Sequence, residues 1–297
     1  MWSAEQTGRI FKKMESRDWC ILQSCEKSLR RYDTINLSHV EKISKLHRSE
    51  VEFRIKKLYK FNFIVGNSGS YTIVSSGSDA LALKEFVNKE LIIGLGGSVG
   101  VGKESDVYEV VSDSLESYVV KFYRIGRISF KSLRRTREYS SSTYQRNWAD
   151  TNISAAKREF KALKKLHNVG VSTPEPKSLS RHVLLMKKIR GEMLSEVVFL
   201  EDPVTVLRDI LWNIHIAFTK GELVHGDLSE FNIIHNNGRI WLIDWPQSIS
   251  SSHSSSENML KRDIYNILRF FNKKFKMEID MKSTVEYVRG DNDELSL

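Results

Sequence analysis

The sequence predicts an α+β fold in two domains. A small, mainly helical domain spans residues 1–89, and a larger two-lobed domain spans residues 90–297. Three observations predict it. Apolar residues at helical spacing fill the first 89 positions and end in a strand–turn–strand signal. The composition shifts at Gly94, where GLGGSVGVGKES opens a β-rich stretch. From Asp202 onward a capped helix, a hairpin and a further helix follow one another.

Each element has its own signal. Ser16 starts a helix with Trp19, Ile21, Leu22 and Leu29 as apolar positions. Ser38 is expected to cap a helix from Val40 to Leu46, with Glu41 placed as in a capping box, and Ser49 the next, with Glu52 at the same offset. Val51, Ile55 and Leu58 give that helix one apolar face. Phe63–Val65 and Tyr71–Val74 flank Gly66-Asn67-Ser68-Gly69, a hairpin signal, and a helix over Asp79–Lys89 follows. Three helices and then a β-wing make a winged helix-turn-helix. The helix before the wing carries Arg54, Lys56, Lys57 and Lys60, where winged helices commonly meet nucleic acid. A domain that only packs is the alternative.

In the larger domain, strands are expected over Asp106–Val111 and Ser117–Tyr123 around a turn at Ser112–Glu116. Residues 124–152 are basic, hydroxyl-rich and aperiodic, and read as a long mobile loop. A helix from Ile153 to His167 and a strand over Val183–Met186 follow, with a linker beginning at Lys187. Asp202 caps and Pro203 opens a helix with Val204, Leu207, Leu211, Ile214 and Phe218, ending at Gly221. FNIIH and IWLID form a hairpin through Asn236-Asn237-Gly238. A serine-rich stretch, 248–256, precedes a helix over Leu260–Phe271, and the tail 272–297 alternates basic and acidic patches and says little.

The composition, 40% hydrophobic and 28% charged, excludes a disordered, collagen-like or disulfide-framework chain. Lysine plus arginine is 46 against 37 acids, a net charge of +9. Such a balance points to a phosphate-rich partner or serves solubility. Cys20 and Cys25, five apart in a predicted helix, point to different faces and read as reduced thiols. No apolar run is long enough to span a membrane, and MWSAEQTGRIFKKM lacks the apolar core of a signal peptide. The expected location is cytoplasm or nucleus, with no membrane partner.

Three elements carry chemistry. The first is Gly100-Val101-Gly102-Lys103-Glu104-Ser105, between two strands, whose backbone amides could cradle phosphates. Glycine turns between strands are common, so alone this is a weak signal. It is not a P-loop of the nucleotide-triphosphatase kind: Glu104 stands where a magnesium-binding hydroxyl belongs, and a strand follows. G-x-G-x-x-G-x-V fits better, with Ser105 for the third glycine and Val107 in place. The second is Lys121, in an apolar strand, with Glu159, on the apolar stripe Ala155, Glu159, Leu163, Leu166. A charge buried there needs a partner, and the two would position the α- and β-phosphates of ATP. A glutamate snorkelling at the stripe's edge is the alternative.

The third is His225-Gly226-Asp227-Leu228-Ser229-Glu230-Phe231-Asn232, followed by a hairpin and Ile243-Asp244-Trp245-Pro246. H-x-D-x-x-x-x-N with a downstream aspartate is a specific spacing. Phosphoryl transfer needs a carboxylate at the acceptor hydroxyl, and a carboxamide and second carboxylate on magnesium. Asp227 is the first; Asn232 and Asp244 are the others. His225 reads as an orienting member of the loop. His215, His235 and His253 read as surface or core histidines.

GVGKESDVY, HGDLSEFN and IDWPQ together resemble the RIO family of atypical protein kinases, in its winged-helix-containing branch. The resemblance spans roughly residues 1–271. It implies a two-lobed, shortened protein-kinase-like domain without activation segment or peptide-binding helices, with lobes at about 90–186 and 190–297. It implies ATP and Mg2+ as cofactors, Lys121 as the ATP lysine, Asp227 as the catalytic aspartate, and Asn232 and Asp244 as metal ligands. It also implies an adenine-binding hinge from Met186 to Ile189, and Asp263 as the aspartate holding the catalytic loop. Trp245 stands where phenylalanine is usual, and Lys187-Lys188 replace an acidic–apolar hinge pair. The role implied is late maturation of the small (40S) ribosomal subunit, as kinase or ATPase. The partners implied are the pre-40S particle, its rRNA, and ribosomal or assembly-factor proteins. Small-molecule phosphotransferases of the aminoglycoside or choline kinase type share H-G-D-x-x-x-x-N but lack the winged helix. An ATP-binding RNA scaffold without turnover is the non-enzyme alternative. With no peptide platform, Asp244 could itself take the phosphate.

Overall fold

The computed structural model describes residues 4–29, 32, 34–67, 70–113, 116–126, 142–292 and 294–295. They form two compact units, Met1–Ala156 with Ser178–Leu185, and Lys157–Lys177 with Met186–Leu297.

The first unit opens with α1 (Ala4–Phe11), α2 (Ser16–Leu29), α3 (Leu37–Ser44) and α4 (Arg48–Lys60). The wing follows as β1 (Ile64–Asn67) and β2 (Ser70–Ile73), then α5 (Ser75–Asn88). The winged helix is as expected, but both proposed serine caps move. Asn36 caps α3, its side chain accepting from the Ser38 amide, and His47 caps α4 by accepting from the Ser49 amide. In both cases the cap lies two residues upstream, because an Asn or His acceptor reaches the same orphan amides of the first turn. Ile35 pairs with Tyr71 through two backbone bonds, tying the wing to the strand ahead of α3. Trp19, Ile21, Leu22 and Cys25 of α2 pack with Val51, Ile55 and Leu58 of α4 in one core. Cys20 and Cys25 are free thiols.

A five-stranded sheet follows, in the order β3-β4-β5-β7-β6. Its strands are β3 (Gly94–Val101), β4 (Ser105–Val111), β5 (Tyr118–Tyr123), β6 (Pro176–Ser180) and β7 (Val183–Lys187). The composition shift at Gly94 marks no gap in packing. Ala82, Leu83 and Phe86 of α5 share a core with Tyr108, Phe122, Val183 and Leu185. Helix α6 (Ser142–Asn168) starts at Ser142 instead of Ile153. Its first turns are polar, so no apolar period announced them; they are held by tertiary partners. Trp148 packs on His182 at 5.4 Å, and Asn152 Oδ1 accepts from Ile125 N at 2.8 Å. The rest of the proposed loop, 127–141, lies outside the described residues.

The second unit contains β8 (Glu192–Met193), α7 (Pro203–Thr219), β9 (Leu223–Val224), β10 (Ile233–Asn236), β11 (Arg239–Leu242), β12 (Ile249–Ser250), α8 (Ser256–Phe275) and α9 (Met281–Arg289). Asp202 caps α7 through the Thr205 amide, with Pro203 in its first turn. Asn237 and Gly238 both have positive φ (48° and 76°), the geometry a two-residue hairpin loop demands. The tail is not featureless: α9 is capped by Asp280 and closed by Gly290 at φ 81°, and it buries Val285 and Val288. His215 of α7 stacks between Trp212 and Tyr287. No described helix is long and apolar enough to cross a membrane.

Candidate active site

In the second unit the functional loop begins where β9 ends. Gly226 has φ +79°, and a Cβ there would sit 2.8 Å from the Gln247 carbonyl, so only glycine fits. Asp263 of α8 then fixes the loop from beneath. Its two carboxylate oxygens accept separately from Gly226 N (2.8 Å) and Leu228 N (3.0 Å). Asn266 donates to the Leu228 carbonyl, and Arg262 to that of Gly226. Burial pushes the Asp263 carboxyl up to about 6, against the pull of those two amides.

His225 has the geometry of an orienting residue. Its Nε2–H donates to the Ile243 carbonyl (2.9 Å), while Nδ1 accepts from the Asp227 amide (3.3 Å). Asp227 thus leaves the loop with its side chain exposed. Desolvation raises its pKa, Arg262 lowers it, and Asp244 raises it, which suits a group that must accept a proton. Asn232 ends a single 3-10 turn, Glu230–Asn232, and its Nδ2 donates to the Asp227 carbonyl at 2.8 Å. That bond leaves the carboxamide oxygen as the group's acceptor. The Ile243 amide donates to the Asn232 carbonyl (3.0 Å), so the hairpin's two ends, Asn232 and Asp244, meet.

Asp244 has φ +67°, a left-handed conformation that costs about 1–3 kcal/mol at a residue other than glycine. Its neighbour holds it there. The Trp245 ring is buried, its Nε1 donates to the Leu242 carbonyl (3.2 Å), and its amide donates to Glu159 Oε1 (3.3 Å). Glu159, 1% exposed, therefore anchors the Asp244–Trp245 turn. The larger indole at 245 fills the core that this turn closes over.

Asn232 and Asp244 offer one carboxamide oxygen and one carboxylate. Among the described residues no group of three or more His, Cys, Asp or Glu could hold a metal. This sparse oxygen set fits Mg2+, which keeps several waters and takes its other ligands from substrate phosphates. Of the residues expected at the hinge, Met186 is buried, and Lys187 N donates to the Glu175 carbonyl (2.9 Å); Lys187, Lys188 and Ile189 are half-buried.

In the first unit, Gly100 and Val101 end β3, Gly102, Lys103 and Glu104 turn, and Ser105 opens β4. Gly102 N donates to the Ser105 carbonyl at 2.8 Å. A Cβ at Gly97 or Gly100 would meet no protein atom within 4 Å, so packing does not demand glycine there; close approach by a ligand would. Lys121 lies on β5 opposite Val107, 4% exposed, its Nζ 5.0 Å from the Tyr123 ring.

One expectation is corrected. Arg54 and Lys57 of α4 are not offered to a polyanion. Arg54 bridges Glu15 (2.8 Å), Asp18 (2.9 Å) and Glu50 (2.8 Å), and Lys57 bridges Glu15 and Asp18, each at 2.6 Å. Lys57 and Arg54 hold Glu15 down to about 2. Lys56 and Lys60 are exposed beside Phe53 and Tyr59. Arg124 is corrected likewise: the sequence reads it as the start of an arginine-rich RNA-binding loop, Arg124–Arg137, but it is 2% exposed and paired with Asp79 and Asp106, two acids that sequence reasoning missed. The one signal was an arginine directly after an apolar strand.

Comparison with known proteins closes the identification. The RIO domain family matches residues 106–284, and the family described as "Rio2, N-terminal" matches residues 11–89. The RIO-type serine/threonine-protein kinase Rio2 of Methanocaldococcus jannaschii is 35% identical over 274 residues, 88% of this chain and 99% of that one. The chain belongs to the RIO family of serine/threonine-protein kinases, in its Rio2 group. The serine/threonine-protein kinase rio2 of Dictyostelium discoideum is 32% identical over 271 residues, 90% of this chain. The chain spans about half of that relative's length (52%). Among solved structures, the Rio2 kinase–ADP/Mg2+–phosphoaspartate complex of Chaetomium thermophilum aligns with TM-score 0.80 and 26% identity, covering 96% of this chain and 93% of that one. The fold, N-terminal winged helix included, is thus shared with that Rio2 kinase.

Proposed function

We propose that the protein catalyses Mg2+-dependent phosphoryl transfer from ATP, and that it acts on the pre-40S particle during late maturation of the small ribosomal subunit. The observation that carries the chemistry is the joined hairpin, which sets Asn232 and the strained Asp244 beside the Asp227 loop. Asn232 Oδ1 and the Asp244 carboxylate would hold Mg2+, which supplies charge neutralisation at the β- and γ-phosphates. Lys121 and the backbone of Gly100–Ser105 would take the phosphates. Asp227 accepts the proton of the attacking hydroxyl. Met186 to Ile189 present the backbone to adenine.

The phosphoaspartate in the Chaetomium relative supports a second acceptor. An Asp244 oxygen attacks the γ-phosphorus, its bond to the bridging oxygen breaks, and ADP leaves; water then cleaves the acyl phosphate to inorganic phosphate. A short C-terminal lobe favours this switch-like cycle. The +9 charge and the exposed Lys56 and Lys60 support rRNA as the partner; the cytoplasm or nucleus is the place proposed with it.

The test uses the full chain. Wild type should turn over ATP only with Mg2+, and Asp227→Ala should lose that turnover. The tagged protein should co-sediment with pre-40S particles in a way that ATP alters. Turnover in Asp227→Ala at the wild-type rate sinks the catalytic assignment. Absence from the particles, with or without ATP, sinks the ribosomal one.

A further inference from the structure

Arg124 sits where β5 ends, three residues after Lys121, and it is 2% exposed. A guanidinium in such a place must be fully paired. Its Nη1 and Nη2 grip both oxygens of Asp79 (2.9 and 2.6 Å), and its Nε donates to Asp106 Oδ2 (3.3 Å). Its backbone amide donates to the Glu104 carbonyl at 2.5 Å. His182 completes the cluster: Nε2–H donates to Asp79 Oδ1 (2.8 Å), and its carbonyl accepts from the Tyr123 amide. Burial holds His182 below its ordinary pKa, so it serves as a neutral donor.

The members come from different places. Asp79 belongs to α5, which closes the winged helix; Glu104 and Asp106 flank the end of the glycine-rich turn; Arg124 links them. Replacing a buried ion pair by apolar groups is often neutral or stabilising, so stability alone is a poor reason for this cluster. Besides Asp79, Arg124 reaches Asp106 at the start of β4 and the Glu104 carbonyl of the glycine-rich turn, and its Nη1 lies 3.2 Å from His182 Nε2.

We propose that Asp79 of the winged helix is a positioning residue for the phosphate loop, acting through Arg124 to fix the segment Gly102–Asp106 for ATP. The winged helix is then a working part of the nucleotide site as well as a partner-binding module. This rests on the ATP reading above. It also implies reciprocity: ATP on the loop must tighten α5 by the same coupling.

The experiment takes three full-length proteins: wild type, Asp79→Asn and Arg124→Lys. Asp79→Asn removes the charge but keeps the shape. Arg124→Lys keeps the charge but cannot reach Asp79 and Asp106 together. In each variant that keeps a cooperative thermal transition, KM for ATP should rise roughly five- to thirtyfold, with kcat within about twofold of wild type. A merely structural cluster would lower the transition temperature and leave that split unmoved. Wild type gives an arm that needs no variant: saturating ATP–Mg2+ should slow amide exchange at residues 76–83 of α5. An unchanged KM in a folded variant, or exchange in α5 indifferent to ATP, overturns the proposal. Failure of wild type to bind ATP at all would instead overturn the reading on which it rests.

Discussion

Replacing Asp263 by asparagine should slow catalysis without a matching loss of stability at neutral pH. The native carboxylate satisfies two buried amides, Gly226 N and Leu228 N, with two different oxygens. Asparagine offers one acceptor oxygen, and its NH2 faces the other amide. An orphaned buried donor costs about 1–3 kcal/mol. Against that, a carboxyl held at about 6 instead of its ordinary 3.8 is charged at a cost of roughly 3 kcal/mol at neutral pH, and the substitution removes this cost. The two terms nearly cancel at pH 7. They do not cancel in acid. A carboxyl whose folded pKa is raised contributes stability that is full below its unfolded pKa and lost as pH rises through the folded value. In wild type, then, the Asp263 contribution declines between about pH 4 and 6, and the variant lacks that decline. Urea unfolding of both proteins should show the variant weaker by about 1–3 kcal/mol near pH 4.5 and close to wild type near pH 7. ATP turnover should fall about 10- to 100-fold, because the loop carrying Asp227 loses its clamp. A variant with wild-type kcat, or with the same stability difference at both pH values, would refute the reasoning.

Four other outcomes follow from named residues. Arg54→Ala leaves the buried Asp18 without that partner and should destabilise the chain by about 3–5 kcal/mol in a denaturant titration. Charge reversal at exposed Lys56 and Lys60 should instead leave the unfolding midpoint in place and weaken binding to a structured rRNA fragment, more for RNA than for DNA of the same sequence; equal loss on both nucleic acids would reduce the helix to a generic polyanion surface. Acid quench during turnover should yield a hydroxylamine-labile phosphate that disappears in Asp244→Asn, and mass spectrometry finding none would leave Asp244 a metal ligand alone. Asp280→Ala removes the cap of α9 and should cost about 1 kcal/mol of stability, read as a lower unfolding midpoint with ATP turnover unchanged.

Wherever neighbours in sequence decide the structure, the chain alone sufficed. Asp202 with Pro203 announced α7, and Asn237-Gly238 announced the β10–β11 turn, because capping and positive φ are properties of a few adjacent residues. The spacing from His225 to Asn232, and the hairpin after it, marked the loop proposed for catalysis for the same reason. Tertiary structure decided which charges are available and which are consumed. Helical spacing shows Arg54, Lys56, Lys57 and Lys60 on one helix, yet Asp18 and Glu15, 36 to 42 positions earlier, claim two of them. Arg124 closed on Asp79 across 45 positions, and the polar start of α6 formed because Trp148 and Asn152 found partners outside the helix. Ion pairs and buried amides of this kind carry no period along the chain; they exist only once the backbone brings distant residues within about 3 Å of each other.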